Sequence, residues 1–600
     1  MKTILKYVGR GLAVIGFIVV LVSASGWVIL LTHKKPELAQ KIILSFDLTK
    51  GAPEKVSDNP LRAALDDSSD LSLRDVVSAL DLAAKDDRVK VVYSEVRDNG
   101  IPMASAQEIR DAVFRVREAN KPTYAFATSF GEMGPSDKAY YLASSFQNIW
   151  MQPVGLVGLT GLGAEMPFAR DALKKIGVQA DVARRGKYKS LMESATDQDF
   201  SPANAEMMES LLDDLSAQLV GDISLERHID PLTLARLIDV APLTAQEALH
   251  THLVDRIGYR DELEDLFAKA FGDDAKVVPA ADYLAMRRDE IRAEDRKKKD
   301  KAELTTVAFI QASGNIVQSK SGGPLAGSSL LAADDLASAI RAAVDDDKVE
   351  AILLRLDTPG GSAVASETIR RALVLAGEAG LPIVVSMGSV AGSGGYWVAS
   401  VADIVVAEPA TLTGSIGVIA GKFSGTDVWD KLGISWGRIT RGENADMWSI
   451  TAPFTSAQKA RIDQLVGAAY DDFKQRVAEG RNMTPEAVEA IAQGRVWTGN
   501  QAFDLGLVDE LGGLTDAITI TKNILGFTED DFIVLKTFPA PENFRARIKK
   551  FLFQMGGTSA SMGRLDVLLD ALQPALERAE TFLHVGQRDL RMPPVSLSGL

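Results

Sequence analysis

The chain repeats itself once, and this constrains its fold more than any other feature. ALDLAAKDDRVKVVYSEV at 79–96 matches AIRAAVDDDKVEAILLRL at 339–356, an offset of 260. YYLASSFQNIWMQPVGLVGLTG at 140–161 matches YWVASVADIVVAEPATLTGSIG at 396–417, an offset of 256. LTAQEALHTHLVDRIG at 243–258 matches WTGNQAFDLGLVDELG at 497–512, an offset of 254. Three matches in the same order, with a slowly drifting offset, predict two similar domains. The length of 600 residues agrees, because a single core rarely grows that large. The expected boundaries are a first repeat at 41–280, a charged linker at 281–304 and a second repeat at 305–530. A C-terminal extension at 531–600 follows, in which FRARIKKFLFQM and LDVLLDALQPALERAETFL have the pattern of amphipathic helices suited to a membrane surface or a subunit contact.

Each repeat alternates helical periodicity with short apolar runs such as KVVYSEV and EAILLRL, then PTYAFAT and PIVVSMG. Strands apolar on both faces and separated by amphipathic helices predict α/β layers built on parallel sheets. Between the repeats, DEIRAEDRKKKDK at 289–301 interleaves acids with bases, the pattern of a solvated helix or linker rather than of a binding patch.

The N-terminus carries a targeting signal. Residues 11–31, GLAVIGFIVVLVSASGWVILL, hold 21 residues without a charge, close to the roughly 20 that span a bilayer. Lys2, Lys6 and Arg10 precede them, which favours a cytoplasmic N-terminus with the bulk of the chain outside. His33, Lys34 and Lys35 on the far side weaken that bias. The expectation is a single-pass bacterial inner-membrane anchor at 1–40; a cleaved signal peptide is the competing reading, because VSASG offers small residues.

Composition removes several chemistries. A net charge of −15 without a basic patch argues against a nucleic-acid binder. Absence of cysteine rules out disulfides, thiolate catalysis and cysteine-bound zinc. The five histidines show no metal-ligand spacing, and the glycine-rich stretches lack a phosphate-binding loop pattern. No cofactor is expected.

What remains is a hydroxyl among glycines. VSMGSVAGSGGYW at 385–397 places Ser393 after a strand-like run, and DTPGGS at 357–362 follows another. In an α/β layer both loops lie beyond the carboxyl ends of strands, where the amides of Gly360 and Gly361 can face a developing oxyanion. Two tight turns would use the same glycines. A nucleophilic serine also needs a base, and none of His33, His228, His250, His252 and His584 falls in the second repeat. RRGKYKS at 184–190 offers Lys187 and Lys189, which in an extended segment share a face opposite Tyr188. At offset 256 Lys189 falls on Ala445 and Ser393 on Asp137, so each repeat keeps what the other lacks. A complete dyad therefore requires both domains, from one chain or from neighbours.

GKYKS at 186–190, RLDTPGGSAVASE at 355–367, VSMGSVAGSGGYW, PATLTGSIGV at 409–418, and QGRVWTG with GLVDELG at 493–512 together resemble the long, two-repeat form of the signal peptide peptidase A family, over about residues 41–530. The resemblance implies tandem crotonase-like (ClpP-like) domains and a serine peptidase with Ser393 as nucleophile and Lys189, rather than Lys187, as base. It also implies Gly361 as oxyanion donor, Gly360 orienting its loop, and Ser415 orienting the lysine amine. Cleaved signal peptides and similar apolar peptides are the implied substrates, on the periplasmic side of the inner membrane, in a homotetramer. RLDTPGG departs from the more usual RVNSPGG of that family. A crotonase-like acyl-thioester enzyme and a noncatalytic membrane scaffold are the alternatives.

Overall fold

The computed structural model describes residues 38–55, 71–97, 100–297 except 133 and 273, 305–319, 330–528, 531, 533–539 and 590–591. The apolar run at 11–31 and the two amphipathic segments beyond 540 lie outside the described residues. Among the described residues no helix is long and apolar enough to cross a membrane.

The first half supplies β1 (Ile42–Leu48), β2 (Val89–Val96), β3 (Thr123–Ala127), β4 (Asn148–Met151), β5 (Gln179–Arg185), β6 (Arg256–Ile257) and β7 (Lys276–Pro279). The second half supplies β8 (Thr306–Ser313), β9 (Val349–Thr358), β10 (Ile383–Gly392), β11 (Ile404–Ala407), β12 (Leu412–Gly414), β13 (Val418–Ser424), β14 (Val496–Thr498), β15 (Glu510–Leu511) and β16 (Val534–Phe538). The first sheet has the parallel order β6-β4-β3-β2-β1-β7, and the second runs β15-β11-β10-β9-β8-β16, the same order of counterparts. Both faces of the second sheet are buried. Val307, Phe309, Leu353 and Val384 pack with Leu514 and Ile518 on one side, while Ala308, Ile310, Leu354 and Val385 pack on the other. The strands are therefore apolar without alternation, because a side chain on either face meets protein.

Two expected boundaries move. Residues 280–297 are a helix rather than a linker, and its first turns dock on the first half: Tyr283 and Leu284 are buried, and Arg288 pairs with Asp75 at 2.6 Å. On its described turns Arg287 and Arg288 meet Asp86 and Asp75, and Glu290 meets Arg88. The second repeat extends past 530, since β16 pairs in parallel with β8 as β7 does with β1. KVVP and VLKTF share pattern and little identity, so residue matching misses them.

The halves meet at several places, among them the hydrogen bonds of Asp214 with Thr498 Oγ1 and Asn500 Nδ2, and two further contacts bear on the site. One is a polar junction in which the helix Met103–Glu118 meets the second half: Gln107 Oε1 accepts from the Ala410 amide and Glu108 Oε1 from the Leu514 amide, both at 2.8 Å. The other is a two-stranded antiparallel ribbon in which β5 pairs with β13 from Gln179↔Ser424 to Arg185↔Val418. The ribbon delivers residues 186–190 of the first half to the carboxyl end of β10.

Candidate active site

Ser393 stands where β10 turns into the short helix Gly394–Ala399. Its φ of 54° and ψ of −119° are unusual for a residue with a Cβ, a strain of order 1–3 kcal/mol that its surroundings must sustain. They do so through the backbone: Ser393 N–H donates to Gly414 O at 2.8 Å, and Ser393 O accepts from Trp397 N–H at 3.0 Å. The resulting elbow leaves the hydroxyl half-buried at the head of the turn.

Lys189 comes from the other half. Residues 186–189 form a turn rather than the extended segment expected from sequence, with the Lys189 amide donating to Gly186 O at 3.2 Å. Its two lysines consequently diverge. Lys187 is exposed, its ammonium 4.8 Å from the Tyr188 ring centre, whereas Lys189 is only 6% exposed. Lys189 Nζ lies 2.9 Å from Ser393 Oγ, 3.0 Å from Ser415 Oγ and 2.8 Å from Ser415 O. Burial pushes its amine down to about 8, since a buried ammonium loses hydration that these neutral oxygens only partly replace. His228, His250 and His252 are exposed.

The seat of the lysine is backbone. Tyr188 N–H donates to Gln493 O at 2.9 Å, and Gly494 N–H donates to Ile416 O at 2.7 Å. Gly494 has φ +81°, and a Cβ there would stand 2.6 Å from Lys189 N, so only glycine lets the two loops meet. Beyond the lysine, the fully buried Glu193 accepts from Ser201, Asn204 and Arg184 at 2.8–2.9 Å. Burial opposes its ionisation, but those hydrogen bonds prevail and hold its carboxyl below the usual range.

The glycine loop after β9 closes the other side. A Cβ on Gly360 would stand 2.8 Å from Ser393 Cβ, which explains why no side chain occupies that position. Gly360 N–H is not free for an oxyanion, however: it donates to Thr358 Oγ1 at 3.0 Å. Of the two amides considered from sequence, only that of Gly361 is available. Sequence reasoning missed its companion. Gly394 is the first residue of its helix, so its N–H has no intrahelical acceptor, and a Cβ on it would lie 3.3 Å from Gly361 N. A residue that opens a helix directly after a serine was the available signal. In the departure RLDTPGG, Asp357 Oδ1 accepts from Val390 N–H at 3.0 Å, and burial together with the charge of Glu54 raises its carboxyl pKa.

At the counterpart positions Asp137 is buried and accepts from Gly161 N–H at 2.7 Å, and Ala445 is exposed. The arrangement around Ser393 can pass a hydroxyl proton to a neutral amine and offer two amides to an oxyanion, the requirements of acyl transfer.

A sequence profile of peptidase family S49 matches residues 115–272 and 376–526. The chain is 32% identical over 524 residues to Protease 4 of Salmonella typhi, covering 83% of this chain and 81% of that protein. It is 30% identical over 473 residues to Protease 4 of Haemophilus influenzae, covering 77% and 74% of the two chains. It is also 30% identical over 463 residues to the chloroplastic serine protease SPPA of Arabidopsis thaliana, covering 76% and 66%. The chain belongs to peptidase family S49, with its ClpP-like α/β fold, and is a serine-type peptidase of the Protease 4 (SppA) kind.

Proposed function

We propose that Ser393 is the nucleophile and Lys189 the general base of an endopeptidase that degrades remnant signal peptides and similar apolar, extended peptides. The single observation that carries this reading is the 2.9 Å approach of Lys189 Nζ to Ser393 Oγ across the two halves of one chain. As a neutral amine, Lys189 donates its two N–H groups to Ser415 Oγ and Ser415 O, which aims its lone pair at the serine hydroxyl. Ser393 Oγ attacks the peptide carbonyl while its proton passes to Nζ. The amides of Gly361 and Gly394 receive the oxyanion, and Gly360 holds the loop through Thr358. The resulting ammonium then protonates the departing amine, leaving an acyl-enzyme on Ser393. Water repeats the sequence with Lys189 again as base, and the peptide acid is released.

The two sheets are two crotonase-like domains in tandem, at about 41–297 and 305–538. The apolar run at 11–31 anchors them to the bacterial inner membrane with the domains in the periplasm, beside the bilayer from which cleaved signal peptides must be drawn. A homotetramer restricts entry to unfolded chains. An exposed apolar stretch with Ile434, Trp436 and Ile439 supports subunit contact. At offset 256 residues 435–441 are the counterpart of β5, whose partner strand within the chain is β13.

Hydrolysis of a fluorogenic peptide panel with apolar and small residues tests the dyad. Ser393→Ala and Lys189→Ala should each lower kcat by roughly 10³-fold or more with KM little changed. Wild-type activity retained by both variants would remove the dyad.

A further inference from the structure

The junction between the halves buries two carboxyl groups, Glu108 and Glu408, close to one another. Arg355, 2% exposed, sits on β9 and spends every donor. Its Nε and Nη2 donate to Glu54 at 2.8 and 3.1 Å, Nη2 to Glu108 at 2.6 Å, and Nη1 to Ser386 Oγ and Met387 O at 2.8 and 3.1 Å. Glu108 accepts from Arg355 through one oxygen and from the Leu514 amide through the other, interactions that oppose the rise burial imposes on its carboxyl pKa. Glu408, also 2% exposed, receives nothing comparable. Its Oε1 is buried and has no hydrogen-bond partner among the described residues.

Gly513 shows how closely the two acids face each other. A Cβ built on it would stand 2.7 Å from Glu408 Oε1 and 2.9 Å from Glu108 Cδ. The remaining groups around Glu408 offer little relief. Asp516, on the helix Leu514–Ile524, accepts the Gly513 amide at 2.8 Å and adds negative charge. Half-buried Asp111, on the helix Met103–Glu118, is pushed up to about 7, first by burial and then by Asp516. Of the nearby cations, Arg115 pairs with Asp81 at 2.7 Å, and Arg110 is held on neutral oxygens, donating to Ser144 Oγ at 2.7 Å. Burial and this like charge keep the Glu408 carboxyl well above its usual range, with Arg355 as the opposing influence.

The position of Glu408 connects it to the site. It follows β11 and opens the segment that becomes β12 and then Ser415. The first half grips that segment directly: the Pro409 carbonyl accepts from Gln218 Nε2 at 3.1 Å and the Ala410 amide donates to Gln107 Oε1 at 2.8 Å. At offset 256 the first repeat carries Gln152, followed by Pro153, where the second carries Glu408 and Pro409. The counterpart is a neutral isostere of the acid.

We propose that Glu408 is held as a neutral carboxylic acid and acts as a positioning residue, its proton keeping the two halves closed at residues 408–410 and its ionisation setting the alkaline limit of the peptidase. The proposal rests on the reading that Lys189 and Ser393 act across the halves. Raising pH frees the Lys189 amine but, on ionising Glu408, adds a charge beside Glu108 and Asp516, so activity rises and then falls. The sign is fixed by the raised carboxyl pKa: the stability held by the neutral acid is complete below the ordinary carboxylate range and is lost as pH rises through the value in the folded chain.

Glu408→Gln tests this in the full-length protein by three readouts. The alkaline limb of kcat/KM for peptide hydrolysis should move up by about 1 pH unit while the acid limb stays fixed. The decline of unfolding stability with rising pH should flatten. The infrared carbonyl band of a protonated carboxyl, present in wild type at pH 7, should lose intensity. Asp516→Asn, which keeps the cap on Gly513 while removing a like charge, should move the alkaline limb in the same direction by a smaller step, and it serves if Glu408→Gln does not fold. An unchanged alkaline limb and stability slope in the variants, or no protonated-carboxyl band assignable to Glu408, would overturn the proposal. The stability and infrared readouts do not depend on activity, so failure of the Ser/Lys dyad would register separately as a wild type that cleaves no peptide.

Discussion

Lys189 illustrates how one residue trades stability for chemistry. A folded pKa of about 8 against an ordinary 10.5 means that at neutral pH the chain folds around an ammonium ion it has desolvated. Because the folded value is depressed, the associated stability is present only above the unfolded pKa and is lost as pH falls through 8. Lys189→Met, which fills the same space without charge, should therefore abolish hydrolysis yet raise unfolding stability at pH 7 by on the order of 3 kcal/mol. The gain should shrink between pH 8 and 10.5. Denaturant titrations at pH 7 and pH 10 measure it; a variant no more stable than wild type at pH 7 would show that the amine is already solvated. A lysine of the first repeat opposite a serine of the second was legible in the sequence, because at offset 256 Lys187 and Lys189 fall on Glu443 and Ala445 while Ser393 falls on Asp137. The divergence of Lys187 and Lys189 was not, since it depends on a turn seated against Gln493, about 300 residues away in the chain.

Among elements, the loop at 493–495 and the ribbon of β5 and β13 carry the site's precision. Both Gly494 and Gly433 have positive φ, but nothing lies within 4 Å of a Cβ on Gly433, whereas a Cβ on Gly494 meets Lys189. Gly494→Ala should therefore lower kcat by roughly 10- to 100-fold through displacement of the lysine, in line with the cost of an ångström-scale misplacement. Gly433→Ala should change kcat by less than about 2-fold, its strain falling on stability alone. Equal effects of the two on peptide hydrolysis would show that φ strain, not contact with the lysine, matters at 494. Strands and their parallel direction followed from the apolar runs, because burial on both faces leaves a local record. The helix at 280–297 did not, since its charged pattern is equally that of a solvated linker until the acids of the first half are placed beside it.

At the scale of the whole molecule, one strand order occurs twice and each copy holds one member of the proposed Ser/Lys pair. The internal matches make that division readable in the residues alone, and β5 pairing with β13 gives it a physical form. What sequence alone did not reveal was the junction at Glu54, Glu108, Arg355 and Glu408, because these residues are spread over about 350 positions and their charges meet only after both halves have folded. The most direct measurement is the pH dependence of acylation by a mechanism-based peptide inhibitor, with the modified residue located by mass spectrometry in wild type and Lys189→Met. The account predicts an adduct on Ser393, a labelling rate that rises through an apparent pKa of about 8, and a loss of labelling in the variant. An adduct on another residue, or an unchanged pH profile without Lys189, would contradict it.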